Sequence, residues 1–406
     1  MAYGRQANVH QRANGGVGRR VTGALLLVCG LAALSVQVAY PDLFGALWTR
    51  LQYSHEDRLI DAAQYRFTVP ITRGATQPRE YSVVPATRAG HATTLRQMAT
   101  RTSSNIVLLT RDGELLFEAY AARPDADATM LTNSMSMAKT LVSLLVGIAV
   151  ERAVIRSVDQ PIGQLLKELD GDARGKISIK HLLRMESGLA SQNAGFPLTH
   201  LQSMYFGDSP DARALSVPAV QPPGVSFDYN SVNTQLLLII LQRHLGGGFE
   251  ELLSRHIWGP LGLDTGFGWR ASATGDAKGF CCVFATARAW ASIGRLFLDI
   301  YERQHEEPAI VSQQWLQEMI EPSATNSGYG YHIYVRKTTD RKASYVSMEG
   351  TPQQFVMVFP MMGIIAVSVG DESPEFSVED FVSAIARFRL DLDPRLDGSV
   401  SELVEQ

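Results

Sequence analysis

Hydrophobic and polar positions divide this chain into a strand-forming beginning, a helical middle and a strand-rich end. Ile106-Val107-Leu108-Leu109 and Leu115-Leu116-Phe117 flank Asp112-Gly113. Two apolar runs around an Asp-Gly turn predict a β-hairpin. The apolar run 141–150 predicts a helix that starts near Ser136 and ends near Arg152. A short helix is expected from Ile177 to about Ser187-Gly188. A strongly apolar one over 232–245 is closed by Gly246, Gly247 and Gly248. Residues 249–258 read as an amphipathic helix broken by Gly259-Pro260, and 286–301 as another. The last third turns to strands over 330–335, 343–348, 355–359 and 364–369, followed by a helix over about 378–390. Between 190 and 228 the chain is rich in Pro, Gly, Ser and Asp. It reads as long loops that line a pocket.

Strands at both ends with helices between them predict an α+β fold. One antiparallel sheet is built from the two chain ends and flanked by helices, with a mostly helical lobe inserted and a cleft between the lobes. This domain is expected over 79–392, after a connector over 41–78 and before a polar tail over 393–406. No internal repeat appears. Residues 1–20 form a basic leader, with Arg5, Arg12, Arg19 and Arg20 and no acid. Residues 21–40 are then apolar except for Thr22, Ser35 and Gln37. Ala33-Leu34-Ser35 has the form of a signal-peptide cleavage site. The run is nevertheless long enough to span a bilayer at about 20 residues. We read it as a single-pass transmembrane anchor, with a cleaved signal peptide as the alternative. The arginine excess puts the N-terminus in the cytoplasm. The expected location is the bacterial inner membrane with the body of the chain on the periplasmic side, or secretion if the segment is cleaved.

Composition narrows the classes. The 406 residues are 45% hydrophobic and 19% charged with a net charge of −4, an ordinary globular balance. No basic block offers a footprint for nucleic acid. Cys29, Cys281 and Cys282 supply no disulfide framework, and a bridge between adjacent Cys281 and Cys282 requires a strained ring. No metal-ligand spacing and no nucleotide motif is present, so no cofactor is expected.

One stretch carries chemistry. In Ser136-Met137-Ala138-Lys139 a lysine follows a serine by three, and nowhere else in the chain does this occur. On a helix, residues three apart share a face, so the hydroxyl and the amine can meet. A serine hydroxyl becomes a good nucleophile only when a base takes its proton. A lysine serves as that base when burial or a nearby positive group lowers its pKa. Leu141, Leu144, Leu145 and Val146 would supply the burial. The bland reading of the same motif is an exposed helix start with a solvated lysine.

Four stretches together resemble the β-lactamase-related serine hydrolases, the group of class C β-lactamases, D-alanyl-D-alanine carboxypeptidases, esterases and 6-aminohexanoate-dimer hydrolases. They are Ser136-Met137-Ala138-Lys139; Ile177 to Leu183 running into Glu186-Ser187-Gly188-Leu189; Phe227-Asp228-Tyr229-Asn230-Ser231; and Trp258-Gly259-Pro260-Leu261-Gly262-Leu263. The match spans roughly residues 80–390. The resemblance implies a penicillin-binding-protein-like fold and an acyl-enzyme mechanism on a small-molecule ester or amide. Ser136 would be the nucleophile, and Lys139 with Tyr229 the proton-transfer pair. A protonated lysine nearby would ease ionisation of the tyrosine. Gly350, through its backbone N–H, would complete an oxyanion hole with Ser136.

The chain departs from that group in two places. Ser231 stands where class C enzymes place an asparagine, beside Asn230 and Asn233, so its part in substrate binding differs. Registering Gly350-Thr351-Pro352 with the family puts Ser347-Met348-Glu349 where a Lys-Thr-Gly or His-x-Gly motif would stand, and the basic residue is missing. That cation would hold a substrate carboxylate, so esters or linear amides are favoured over β-lactams. Two alternatives remain on these residues: a non-catalytic binding or sensing module, and a D-alanyl-D-alanine carboxypeptidase. His181 reads as structural, His332 falls on a strand, and no Gly-x-Ser-x-Gly elbow or His–Asp pairing points to a trypsin-like triad.

Overall fold

The computed structural model describes residue 65 and residues 67–73, 82–83, 89–110, 113–273, 275–298, 300, 310–337 and 343–392. The leader, the expected anchor over 21–40 and the tail over 393–406 lie outside them. Among the described residues no helix is long and apolar enough to cross a membrane.

Strands β1 (Thr68–Ile71), β2 (Ser82–Val83), β3 (Ser104–Thr110), β4 (Glu114–Tyr120), β5 (Leu131–Asn133) and β6 (Gly266–Trp269) precede β7 (Val283–Thr286) and β8 (Tyr334–Lys337). β9 (Ala343–Gly350), β10 (Gln354–Phe359) and β11 (Ile364–Gly370) complete the set. Seven of them form one sheet in the order β2-β4-β3-β11-β10-β9-β8. Its centre joins the chain's two ends, as Val107 on β3 pairs antiparallel with Val367 on β11. The predicted hairpin is β3–β4, with Gly113 at φ +84° where only glycine is comfortable. The other four strands form a second sheet, β1-β6-β7-β5, beyond the single sheet expected. These strands are three or four residues long, too short for a period-2 pattern to emerge from the sequence. β1 lies in the segment read as a connector. Ile71 and Tyr65 are buried there, and β1 pairs with β6.

The helices are α1 (Ala89–Arg101), α2 (Ala138–Glu151), α3 (Ile179–Leu183), α4 (His200–Phe206), α5 (Pro210–Ser216) and α6 (Ser231–Leu245). After them come α7 (Phe249–Leu253), α8 (Ala287–Leu298), α9 (Gln313–Met319) and α10 (Val378–Leu392). α4 and α5 correct the expectation of long loops over 190–228. Thr199 and Gln202 form a capping box for α4, and Ser209 caps α5 with Pro210 in its first turn. Polar residues that read as loop were therefore helix starts.

Both faces of the large sheet are covered. Val107, Leu109, Val346, Met348, Val356, Val358, Ile365 and Val367 point into the main core beside α2, α6 and α8. Ile106, Leu108, Met357, Phe359, Ile364 and Ala366 pack against Leu95 of α1 and Phe381 and Ile385 of α10. A sheet buried on both sides needs apolar residues at every position, which is why β3, β10 and β11 read as unbroken apolar runs.

α2 is apolar all round and buried from Ala138 to Ala149, as a helix enclosed by other elements must be. Gly147 lets the indole of Trp315 on α9 lie against its backbone, and an added Cβ would overlap that ring. Alanine improves helix propensity by about 1 kcal/mol, whereas overpacking a core costs about 1–3 kcal/mol. Gly147→Ala is therefore expected to destabilise the protein by about 1 kcal/mol, read as a lower midpoint in urea unfolding. An unchanged or higher midpoint would show that the ring yields freely.

Candidate active site

Ser136 sits in a 3₁₀ turn, Met135–Met137, that runs directly into α2. Met135 holds φ at +46°, a conformation that costs a non-glycine residue about 1–3 kcal/mol and needs outside support. That support comes from β5 and β7. The Met135 amide donates to Asn133 Oδ1 at 2.9 Å. The Ser134 amide donates to the Val283 carbonyl at 2.8 Å, and Ser134 Oγ accepts from the Val283 amide at 3.1 Å. The small second sheet thus clamps the turn that presents Ser136.

Lys139, one turn on, donates from Nζ to Ser136 Oγ at 2.9 Å and to the Phe280 carbonyl at 2.8 Å. It is 1% exposed, with Ala138 and Leu141 buried beside it. Burial alone lowers its pKa to about 7, because a charged ammonium is poorly solvated there. The exposed, solvated lysine of the bland reading is excluded.

Tyr229 arrives on the loop that ends at α6. Its ring lies 5.1 Å from Lys139 Nζ, and Ser136 and Tyr334 are near enough to its hydroxyl to affect its ionisation. Burial, reinforced by neighbouring Tyr334, pushes its pKa up, so the phenol keeps its proton at neutral pH. This corrects the expectation of an easily ionised tyrosine: burial disfavours the phenolate, and Lys139, its pKa lowered to about 7, carries only part of its positive charge at neutral pH. Asn230 positions Tyr229 from below. It is fully buried and caps α6 with Oδ1 on the Val232 amide at 3.1 Å, while Nδ2 donates to the Ala190 carbonyl at 2.9 Å.

Gly350, at the end of β9, lies against the Ser136 turn. A Cβ there would overlap the Ser134 carbonyl and come within 3.0 Å of Met135 Cβ. Ser231 is buried. Its amide is held by Gln192 Oε1 at 2.9 Å, and among the described residues no hydrogen bond joins it to Ser136, Lys139 or Tyr229. The structure thus brings Ser136, Lys139, Tyr229 and the Gly350 backbone together.

Several neighbours had no place in the sequence reading. Tyr334 stacks on Tyr229 at 6.4 Å, and Tyr329 packs edge-on against both. Three tyrosines within 329–334 were the visible signal. The Phe280 carbonyl left none, since any residue carries one. His332 lies behind Lys139 at φ +57°, just before β8. Its carbonyl accepts from Thr140 Oγ1 at 2.7 Å, and Nε2 is 3.0 Å from Thr234 Oγ1. Burial and the adjacent Lys139 lower its pKa to about 3, so it is neutral. His181 joins Ser178 in the capping box of α3, a structural role. Cys281 and Cys282, directly after Phe280, form a disulfide, which corrects the sequence reading. Cys282 takes φ +72°, a conformation that periodicity cannot reveal. Among the described residues no group of His, Cys, Asp or Glu could hold a metal ion.

A model of the Beta-lactamase family matches residues 91–378. This chain belongs to that family. Within the Beta-lactamase family it is similar to the 6-aminohexanoate-dimer hydrolase of Paenarthrobacter ureafaciens, 28% identical over 261 residues, which are 58% of this chain and 64% of the relative. The aligned part therefore spans less than two thirds of that relative's length. Among solved structures, a 6-aminohexanoate-dimer hydrolase homologue from Bacillus anthracis superposes with a TM-score of 0.65 at 18% identity, covering 86% of this chain and 95% of the other. A penicillin-binding protein from Bacillus halodurans gives 0.58 at 15% identity, over 73% and 99%. At these identities the structural likeness establishes the fold, and it agrees with the α+β, penicillin-binding-protein-like architecture that the sequence predicted.

Removing the Asn230 side chain leaves the Ala190 carbonyl and the Val232 amide without their partners. Losing a helix cap costs about 1 kcal/mol, and an unsatisfied buried group adds about 1–3 kcal/mol. Asn230→Ala is therefore expected to lower unfolding stability by about 2–3 kcal/mol in chemical denaturation. A loss under about 0.5 kcal/mol would mean that water replaces both contacts.

Proposed function

We propose that the protein is a serine hydrolase that cleaves an ester or amide through an acyl-enzyme. The observation that carries this reading is the buried amine of Lys139, 2.9 Å from Ser136 Oγ and with a pKa lowered to about 7. Neutral Lys139 takes the Ser136 proton as Oγ attacks the substrate carbonyl. The Ser136 and Gly350 backbone N–H groups stabilise the oxyanion. Tyr229, protonated and beside Ser136 and Lys139, passes a proton to the leaving group and is reprotonated from the Lys139 ammonium. Water then attacks the acyl ester as Lys139 again accepts a proton, and the Lys139 ammonium returns that proton to Ser136 Oγ as the acyl C–O bond breaks. Esters and linear amides are favoured over β-lactams, because neither Ser347, Met348 nor Glu349 offers a cation for a substrate carboxylate. The similarity to a 6-aminohexanoate-dimer hydrolase agrees with this preference. The arginine-flanked apolar segment 21–40 supports export with a membrane anchor, which fractionation of the full-length protein tests.

Fluorophosphonate labelling of the full chain, with mass mapping to Ser136, and turnover of a panel of p-nitrophenyl esters and small amides test the reading. Ser136→Ala is expected to abolish both; persistence of either sinks it. Tyr229→Phe keeps the ring but removes the relay, and a loss of about 10²–10⁴ in kcat is expected.

The pH dependence has a definite sign. Lys139 must be neutral to accept a proton, and in the folded protein it is neutral above about pH 7. kcat/KM should therefore rise with pH through a midpoint of about 7 and fall about tenfold per unit below it. A profile flat from pH 5 to 9 would rule Lys139 out as the base.

A further inference from the structure

Glu349 occupies β9 immediately before Gly350, where the family resemblance would place a cation-bearing motif. Its Oε1 accepts from Ser347 Oγ at 2.6 Å and lies 3.5 Å from Arg336 Nη2. Its Oε2 accepts no hydrogen bond from the described residues. The side chain is 21% exposed, so it is partly desolvated yet still open to a group arriving from solvent. Ser347 and Glu349 share one face of the strand, and Ser347 pairs directly with Tyr334, whose ring stacks on Tyr229. Glu349 is thus a diagonal cross-strand neighbour of Tyr334, and its carboxylate is near enough to Tyr229, Tyr329 and Tyr334 to disfavour their ionisation.

The charges around it do not close the pair. Arg336 is the cation that faces Glu349, but it is 48% exposed, rests over the Tyr334 ring at 5.5 Å, and sits beyond a normal hydrogen bond. A half-exposed ion pair of this geometry is weak. Among the described residues, the remaining titratable groups near Glu349, Tyr229, Tyr329, Tyr334 and Tyr345, are phenols and supply no positive charge. Among the described residues, this carboxylate beside the strand end that backs Ser136 therefore has one weakly held cation and one oxygen without a hydrogen bond.

We propose that Glu349 binds a cationic group of the substrate, so that the site selects esters or amides carrying an ammonium near the scissile bond and disfavours those carrying a carboxylate. This rests on Ser136 being the nucleophile. A substrate ammonium would meet Oε2 directly, in a charge-assisted hydrogen bond. A substrate carboxylate in the same place would meet like charge, and a like-charge contact discriminates by repulsion as strongly as a new contact does by attraction.

The test uses the full chain and two matched sets of esters. One set keeps p-nitrophenol as leaving group and varies the acyl chain among ω-amino, neutral and ω-carboxylate forms. The other keeps an acetyl group and places a dimethylammonium, which retains an N–H donor, a neutral or a sulfonate group on a thiol leaving group. The inference expects kcat/KM to favour the cationic member by about tenfold or more in at least one set. It expects Glu349→Gln to erase that preference and Glu349→Lys to reverse it. Arg336→Gln, which removes the competing cation, should widen the preference. A neutral or anionic preference in both sets overturns the inference, and so does a Glu349→Gln variant that slows all charge types equally, since that would be a role in the chemistry itself. Fluorophosphonate labelling run alongside separates the two levels. Labelled Ser136 without charge selectivity defeats this inference alone; absent labelling and turnover defeat the hydrolase reading, and this one with it.

Discussion

The whole candidate site depends on the burial of one amine. Lys139 is enclosed by α2 and the core around it, with Nζ shared between Ser136 Oγ and the Phe280 carbonyl. In water the same lysine would be charged and useless as a base at neutral pH. Enclosure reverses this, because the ammonium loses its hydration and gains no carboxylate to replace it. An α-helix buried on every side therefore does more than stabilise the fold: it sets the protonation equilibrium of the lysine in its first turn.

The rest of the architecture holds partners against that amine. The small second sheet clamps the Ser134–Met135 backbone and keeps Met135 in a left-handed conformation it would not adopt alone. From the opposite side the large sheet delivers β9, whose last residue must be glycine because the Ser134 carbonyl occupies the space of a side chain. The loop capped by Asn230 brings Tyr229 over Lys139. Three separate elements thus converge on one turn, and each is fixed by buried hydrogen bonds or close packing that a small shift would break.

Much of this was legible beforehand. The hairpin, the long helices and the C-terminal strands follow from runs of apolar residues between turn residues, and Ser136 and Lys139 follow from their helical spacing. The helices over 200–206 and 210–216 were missed because their signal is capping chemistry, carried by the same polar residues that make loops. The second sheet was missed because strands of three or four residues leave no period. The disulfide between Cys281 and Cys282 depends on a backbone conformation that no side-chain pattern reports. Ser231 matched by position in a motif, yet its backbone is engaged by Gln192, since a position in a motif does not determine which loop packs beside it.

By itself the amino-acid sequence determined the family, the order of helices and strands in the large sheet, and the meeting of a serine with a lysine one turn apart. These are local properties: periodicity and spacing act over a few residues, and the chain needs no distant partner to express them. Only the tertiary structure decided which way the protons lie. The lowered pKa of Lys139, the protonated Tyr229 and the half-paired Glu349 each owe their state to groups far away in the chain: the core packed around α2, Tyr334 and Arg336. Desolvation and charge pairing are set by what surrounds a group in space, and folding alone assembles those surroundings.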